Sequence, residues 1–402
     1  MEQLKDLHDN NGILFEDFIE KTFGWHRCDH QPHESKDIHF DGIDYYVKYQ
    51  DIKLYQNAHS VKLASDLYVK FDNKVKDWVK IDNIDLDQWE SCDYVYHTTV
   101  YNFPWIGILH NPPKVPYWFD YKHSPNSILT YPELIKSLEK CEGIFVLSDY
   151  LKTWLTEYFK NHNINVPVNT LLHPTETPEI KFTWKKFKDN NNRKLVQNGY
   201  WLRNMSFIWD INTSYNKVWL YSNKYSLDCL KRELIATPSK LHNELLIEID
   251  KMVNESSTII GVNLIRLSNE EYDQLLSENI CILNLYDSSC NNAIIECIVR
   301  NTPIIVNKIE SVVEYLGENY PLYFTNIKEA EDILKNKKMI KKGYKYIKSM
   351  DKSKLTGSYF RKSFMNSEIY LNLQEKYATK YEYQYEVRTA DQFKCSSGSF
   401  NL

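Results

Sequence analysis

Glycine is scarce in this chain, 11 residues in 402, and none of them forms the GxGxxG turn that a dinucleotide-binding strand–helix unit needs for close backbone approach to a pyrophosphate. A dehydrogenase of that type is therefore disfavoured. The 8 cysteines are scattered with no CxxC pair, so neither a disulfide scaffold nor a ribbon-type zinc site is indicated, and reduced thiols are expected. No apolar run reaches the roughly 18 residues of a membrane span, and the start, MEQLKDLHDNNG, lacks the apolar core of a signal peptide. A cytoplasmic protein without a transmembrane segment is the resulting expectation. Basic surplus is absent too: 49 Lys and Arg stand against 54 Asp and Glu, for a net charge of −5. A broad field for a polyanion is missing, and nucleic acid is not an expected partner.

What is present is ample core material. Hydrophobic residues make up 43% and aromatics 14%, with 30 Tyr and 17 Phe, enough for two domains of ordinary size. From about residue 94 onward, short apolar β-branched runs alternate with helical periodicity. Strands are predicted at Tyr94 to Val100, Trp105 to His110, Gly143 to Leu147 and Val166 to Leu172, with helices at Tyr131 to Cys141 and Asp149 to His162. The stretch 174–193, PTETPEIKFTWKKFKDNNNR, has the prolines, charges and asparagines of a connection between domains. A second alternating series follows, with strands at Lys194 to Gln197, Lys217 to Tyr221, Thr258 to Val262, Ile280 to Tyr286 and Pro303 to Val306. Strands alternating with helices imply a parallel sheet. The predicted organisation is α/β, with a first domain over 1–176, a second over 177–350, and a helical extension and tail over 351–402. Residues 1–90 are the least legible, with one hairpin candidate, Tyr68 to Phe71 against Val75 to Ile81, and a repeated Val-Lys pattern that marks strands.

One segment, YDSSCNNAIIECIVRNTPIIV (Tyr286 to Val306), reads as strand end, polar loop, helix and strand. Its helix is apolar nearly all round, yet it carries Glu296. A buried carboxylate needs a partner, and the local option is Arg300 one turn on. The other option is a ligand. The loop from Asp287 through Ser288 to Asn291 and Asn292 leads into the N–H groups at the positive end of a helix, a site suited to phosphate, and Glu296 lies where it could accept from vicinal hydroxyls. In a parallel sheet, ligands gather at the carboxyl ends of strands. That rule also singles out Gly199 and Arg203 in KLVQNGYWLRN, His110 and Asn111 in WIGILHNPP, and Ser148 in FVLSDY, where the serine also suits a helix N-cap.

The segment DSSCNNAIIECIVRNTPIIVNKIESVVEYLG resembles the donor-binding stretch of nucleotide-sugar glycosyltransferases of the GT-B architecture, similar to their group 1, family 4-like donor domain. That family has two Rossmann-like domains facing across a cleft. In its pattern a glutamate precedes a second one, which binds the ribose; Glu296 matches the second, and Pro303 and Glu314 match later landmarks. Ser288 falls at the first glutamate, Ser289-Cys290-Asn291 replaces the glycine-rich turn, and Asp287 is the nearest substitute carboxylate. Gly199 and Arg203 fit the family's diphosphate-binding loop. The resemblance spans roughly residues 100–325 and implies a metal-independent glycosyltransferase. The nucleotide sugar would be a substrate, no cofactor would be needed, and the acceptor would be a carbohydrate or glycoconjugate. His110 would position or deprotonate the acceptor, with Asn111 and Ser148 on the acceptor side. Other functions compatible with these residues are a nucleotide-sugar epimerase or phosphorylase, and a binding protein without turnover.

Two metal-like patterns compete with this reading. Asp85-Leu86-Asp87 spells DxD but lies in an acidic stretch suited to a helix start, and His26, Cys28, His30 and His33 have no standard zinc spacing. Phosphate charge is expected to be met by Arg203 and helix N–H groups, so turnover of a nucleotide sugar should survive excess EDTA. Complete loss on chelation, restored by manganese or magnesium, would revive the DxD.

Overall fold

The computed structural model describes residues 14–16, 18–20, 100–221, 224–251 and 257–377, together with strands between residues 35 and 97. The chain divides into two compact units, one of residues 1–111 and 120–144, the other of 112–119 and 145–402.

In the first unit β1 (Leu14–Glu16) runs parallel to the strand at Trp105–Leu109, with Phe15 opposite Ile106. Between them in sequence lie seven short strands: β2 (Ser35–Phe40), β3 (Ile43–Lys48), β4 (Lys53–Tyr55), β5 (Ala58–Ala64), β6 (Leu67–Asp72), β7 (Asp77–Lys80) and β8 (Tyr96–His97). They form two antiparallel sheets, in the orders β2-β3-β8 and β4-β5-β6-β7. The Val-Lys segments fall in β3, β6 and β7, and the expected hairpin is the β6–β7 pair with Phe71 opposite Trp78. The strand predicted at 94–100 is instead the short β8, antiparallel to β3, so alternation of strand and helix begins later than expected. β9 (Trp105–Leu109) is buried throughout, as a strand covered on both faces must be. Short helices α1 (Pro125–Ile128) and α2 (Pro132–Leu138) follow; each has proline in its first turn, where the missing N–H costs no bond. β10 (Cys141–Val146) starts three residues after α2 and straddles the division between units.

The second unit contains α3 (Asp149–Asn161), β11 (Val168–Thr170) and α4 (Trp184–Asp189) before its main sheet. The stretch 174–193, read as a connection, lies within this unit and includes α4. Phe182 and Phe187 are fully buried there, which the charged lysines around them obscured. The sheet is built from β12 (Lys194–Asn198), β13 (Asn216–Leu220), β14 (Ser257–Ile259), β15 (Val262–Ile265), β16 (Ile280–Leu283), β17 (Ile304–Asn307) and β18 (Tyr323–Phe324). Its order is β14-β15-β13-β12-β16-β17-β18, parallel except for the β14–β15 pair. The single strand predicted at 258–262 is in fact a hairpin. Ile260 and Gly261 take positive φ of 42° and 75° in succession, the backbone of a two-residue turn that reverses the chain.

The helices of this unit are α5 (Phe207–Asp210), α6 (Lys224–Ala236), α7 (Lys240–Asp250), α8 (Asn269–Glu278), α9 (Asn292–Arg300), α10 (Glu310–Leu316), α11 (Ile327–Lys335), α12 (Lys337–Ser349), α13 (Gly357–Met365) and α14 (Glu368–Tyr377). α9 buries Ala293, Ile294, Ile295, Cys297, Ile298 and Val299, as its all-round apolarity required. Among the described residues no helix is long and apolar enough to cross a membrane.

Candidate functional site

In the main sheet β12 is first in sequence and lies between β13 and β16. The chain leaves β12 for β13 and β15 on one side and returns to β16, β17 and β18 on the other. Between β12 and β16 the direction of winding reverses, and in open α/β sheets such a reversal leaves a crevice beyond the strands' carboxyl ends where ligands bind. The loops that emerge there are the two that the sequence had singled out. They are stitched together by an antiparallel bridge between Arg203 and Leu285, by Asn204 N–H donating to the Asn284 carbonyl at 2.7 Å, and by Tyr286 N–H donating to the Leu202 carbonyl at 3.0 Å.

Gly199 opens the first loop with φ +74°, and a Cβ there would lie 3.2 Å from Cζ of Arg203. Only a residue without a side chain tolerates both the backbone angle and the guanidinium so close. Arg203 is 9% exposed. Its Nη1 donates to the Trp201 carbonyl at 2.7 Å and its Nη2 reaches Asn291 Oδ1 at 3.5 Å, while Nε is buried with no partner. Burial lowers its pKa to about 10, opposed first by the nearby charge of Glu296. The guanidinium therefore stays positive at neutral pH, with donor capacity left over.

On the facing loop, Asn291 caps α9, its Oδ1 accepting from Ile294 N–H at 3.3 Å. Asn292, the first helical residue, is exposed. Glu296 is half-buried, and its Oε2 accepts from the Tyr272 hydroxyl, which in turn accepts from Asn198 Nδ2 at 2.7 Å. Among the described residues no hydrogen bond reaches its other oxygen. Burial raises the pKa of Glu296, with the Tyr272 hydroxyl and the charges of Arg300 and Arg203 pulling it back. Arg300 is employed elsewhere: it pairs with Asp273 at 2.7 Å and with Glu176 at 3.0 Å. The local pairing that could have explained Glu296 is thus not the contact the helix makes.

Several other candidates are engaged within the protein. Asp287 is buried, its Oδ2 accepting from Lys114 N–H at 2.9 Å and the Tyr150 hydroxyl at 3.1 Å, and its Oδ1 from Ser288 N–H at 2.8 Å. Those bonds tie the loop to segment 112–119 and to α3, so the carboxylate is spent on architecture. Ser288 is buried beside it. Ser148 is fully buried as the N-cap of α3, accepting from Leu151 N–H and lying 3.3 Å from the Ser289 hydroxyl. Glu314 accepts from Asp149 and Tyr150 N–H at 2.8 and 3.1 Å, a carboxylate on the positive end of α3.

Two helpers escaped the sequence reading. Tyr272, on α8, holds Glu296. Glu233, on α6, is fully buried and accepts from Met205 and Ser206 N–H at 2.9 and 2.7 Å, pinning the chain just after Arg203. Leu227, Leu230 and Leu234 recur at helical spacing and could have revealed α6.

In the first unit His110 follows β9, with its ring stacked on Phe18 at 4.3 Å and 6°. Its backbone N–H and that of Asn111 both donate to Oε1 of Glu20. Asn111 is buried and its side chain donates to the His123 carbonyl at 2.9 Å. Glu20 is fully buried, Oε2 lacks a partner, and burial pushes its pKa up to about 8. The DxD at Asp85 and Asp87 and the group His26, Cys28, His30 and His33 lie outside the described residues. Among the described residues no group of His, Cys, Asp and Glu could hold a metal ion.

No family model and no curated protein matches this chain. Solved structures match it along much of its length. Trehalose 6-phosphate synthase from Burkholderia multivorans is 10% identical over 70% of this chain and 68% of that one, with a TM-score of 0.46. Sucrose-phosphate synthase from Thermosynechococcus elongatus is 12% identical over 70% and 68%, at 0.43. S. aureus TarM is 10% identical over 83% and 80%, at 0.43. Likeness at this level carries no residue-by-residue correspondence, so the site stands on its own geometry.

Glu20 yields a test in the first unit. Its folded pKa of about 8 exceeds the ordinary 4.5, so between those values the folded state binds more protons than the unfolded one. Its contribution to stability is complete below about pH 4.5 and is lost as pH rises through about 8, on the order of a few kcal/mol. Urea unfolding from pH 5 to 9 should show wild type losing stability relative to Glu20→Gln, which keeps an acceptor and does not titrate. Parallel pH profiles would contradict this.

Proposed function

We propose that this chain is a glycosyltransferase that moves a sugar from a nucleotide sugar to a carbohydrate or glycoconjugate acceptor without a metal. The observation that carries the reading is Arg203, a buried guanidinium with an unpartnered Nε, beside the tight turn at Gly199 and the N-terminus of α9, at the reversal of strand order. A buried cation with spare donors is costly on its own, and a diphosphate supplies both charge and acceptors. Glu296 offers one oxygen to a vicinal diol, as the ribose of a nucleotide requires.

In the proposed reaction the bond between the anomeric carbon and the β-phosphate oxygen breaks, and an acceptor hydroxyl oxygen bonds to that carbon. The hydroxyl proton passes to a general base. Negative charge grows on the departing diphosphate, where Arg203 and the first N–H groups of α9 stabilise it. The free thiols of Cys229, Cys281 and Cys297 fit the proposed cytoplasmic setting. A second reading, a nucleotide-binding protein without turnover, draws support from Asp287 and Ser288, because neither leaves a free carboxylate where the family carries its first glutamate. Release of free sugar from a labelled donor would argue against that second reading.

Arg203→Ala should weaken a nucleoside diphosphate by roughly 1.5–3 kcal/mol while leaving the corresponding nucleoside nearly unaffected. Calorimetric titration of both ligands against both proteins measures the difference. Equal weakening would mean that Arg203 acts through the fold.

A further inference from the structure

Glu296 is useful to a ligand only if its carboxylate is aimed, and a carboxylate on an apolar helix has few neighbours to aim it. The side chain that does so comes from a different helix. Tyr272 sits in the first turn of α8, with its ring packed against the core of the second unit and under the guanidinium of Arg300, whose Cζ lies 5.4 Å from the ring centroid. Arg300 is itself fixed by Asp273 and Glu176, so the ring has little room to swing. Its hydroxyl accepts from Asn198 Nδ2 at 2.7 Å and donates to Glu296 Oε2. Asn198 is the last residue of β12, immediately before Gly199. One phenol thus joins the end of the strand that leads to the phosphate loop to the helix that bears the carboxylate.

We propose that Tyr272 is a positioning residue for nucleotide binding: Asn198 orients its hydroxyl, the hydroxyl occupies one oxygen of Glu296, and the other oxygen is presented to the ribose hydroxyls. The inference rests on the glycosyltransferase reading for the identity of the ligand, and it adds a residue that does not touch it. A tyrosine suits this task because it has one proton to give. Buried beside Glu296, Tyr272 has its pKa raised well above the usual value, first by desolvation and then by that neighbouring charge, so it remains a donor throughout the working pH range. With its hydroxyl directed by the Asn198 amide, that proton goes to the carboxylate. Phenylalanine would preserve the ring, its packing and its contact with Arg300, while leaving both Asn198 and Oε2 of Glu296 unsatisfied.

The test uses the full chain, calorimetry, and the diphosphates of uridine, guanosine and adenosine, each beside its 2′,3′-dideoxy counterpart. For the ribonucleotide that binds wild type most tightly, Tyr272→Phe should raise Kd about tenfold, similar to Glu296→Gln, and the double variant should be little worse than either. For the dideoxy ligand, which has no hydroxyls for Glu296, neither substitution should change Kd more than about twofold. A residue that only stabilises the fold would weaken both ligands alike, and that result would overturn the proposal. So would a Tyr272→Phe protein that binds the ribonucleotide as wild type does while Glu296→Gln does not; in that case the glycosyltransferase reading survives and the positioning role fails. If none of the three ribonucleotides binds wild type, or if Glu296→Gln is neutral, the nucleotide reading fails and takes the role of Tyr272 with it.

Discussion

A buried positive charge governs the second unit. Arg203 lies where two loops from adjacent parallel strands meet, held by the Trp201 carbonyl on its own loop and Asn291 on the other. Desolvating a guanidinium costs several kcal/mol unless its donors find acceptors, and here the protein supplies only part of what it needs. Around that unmet requirement the other features fall into place. The glycine at 199 makes room for it, the cap residue of α9 faces it, and the charge of Glu296 lies near enough to sustain its pKa.

The loops of the candidate site are braced by buried and half-buried carboxylates. Glu233 holds the N–H groups of Met205 and Ser206, Asp287 gathers donors from Lys114, Tyr150 and Ser288, and Glu314 receives those of Asp149 and Tyr150. In each case a carboxylate meets backbone donors that would otherwise be orphaned at a helix start or a loop, and such bonds are stronger than neutral ones. In the first unit Glu20 likewise accepts from the backbone N–H groups of His110 and Asn111, but as a carboxyl that burial keeps protonated up to about pH 8. Placing loops in this way fixes the backbone on which the proposed ligand contacts of Arg203 and Glu296 depend.

The parallel sheet of the second unit was legible because strands covered on both faces read as continuous apolar runs, as Ile280 to Leu283 does. Gly199 and Arg203 were singled out by their place after a strand and Glu296 as a charge on an apolar helix, and the structure places Arg203 beside Gly199 and within reach of the charge of Glu296. What could not be read was long-range partnership. Glu20 reaches His110 across 90 residues and Tyr272 reaches Glu296 across 24, separations at which no periodic pattern links two side chains. Arg300 looked like an i+4 partner for Glu296, yet two acids from other elements claim it. The antiparallel strands between residues 35 and 97 are short and mix charged with apolar residues without a regular period, so their pairing depends on contacts a one-dimensional reading does not contain.

The central claim is that the loops after β12 and β16 form a single nucleotide diphosphate site. Hydrogen–deuterium exchange on the full chain, with and without saturating nucleoside diphosphate, tests it directly. The account predicts slowed exchange in peptides covering 199–206 and 287–296 together, with the remainder of the main sheet unchanged. Protection of only one of the two loops, or protection confined to other segments while the nucleotide is demonstrably bound, would contradict it.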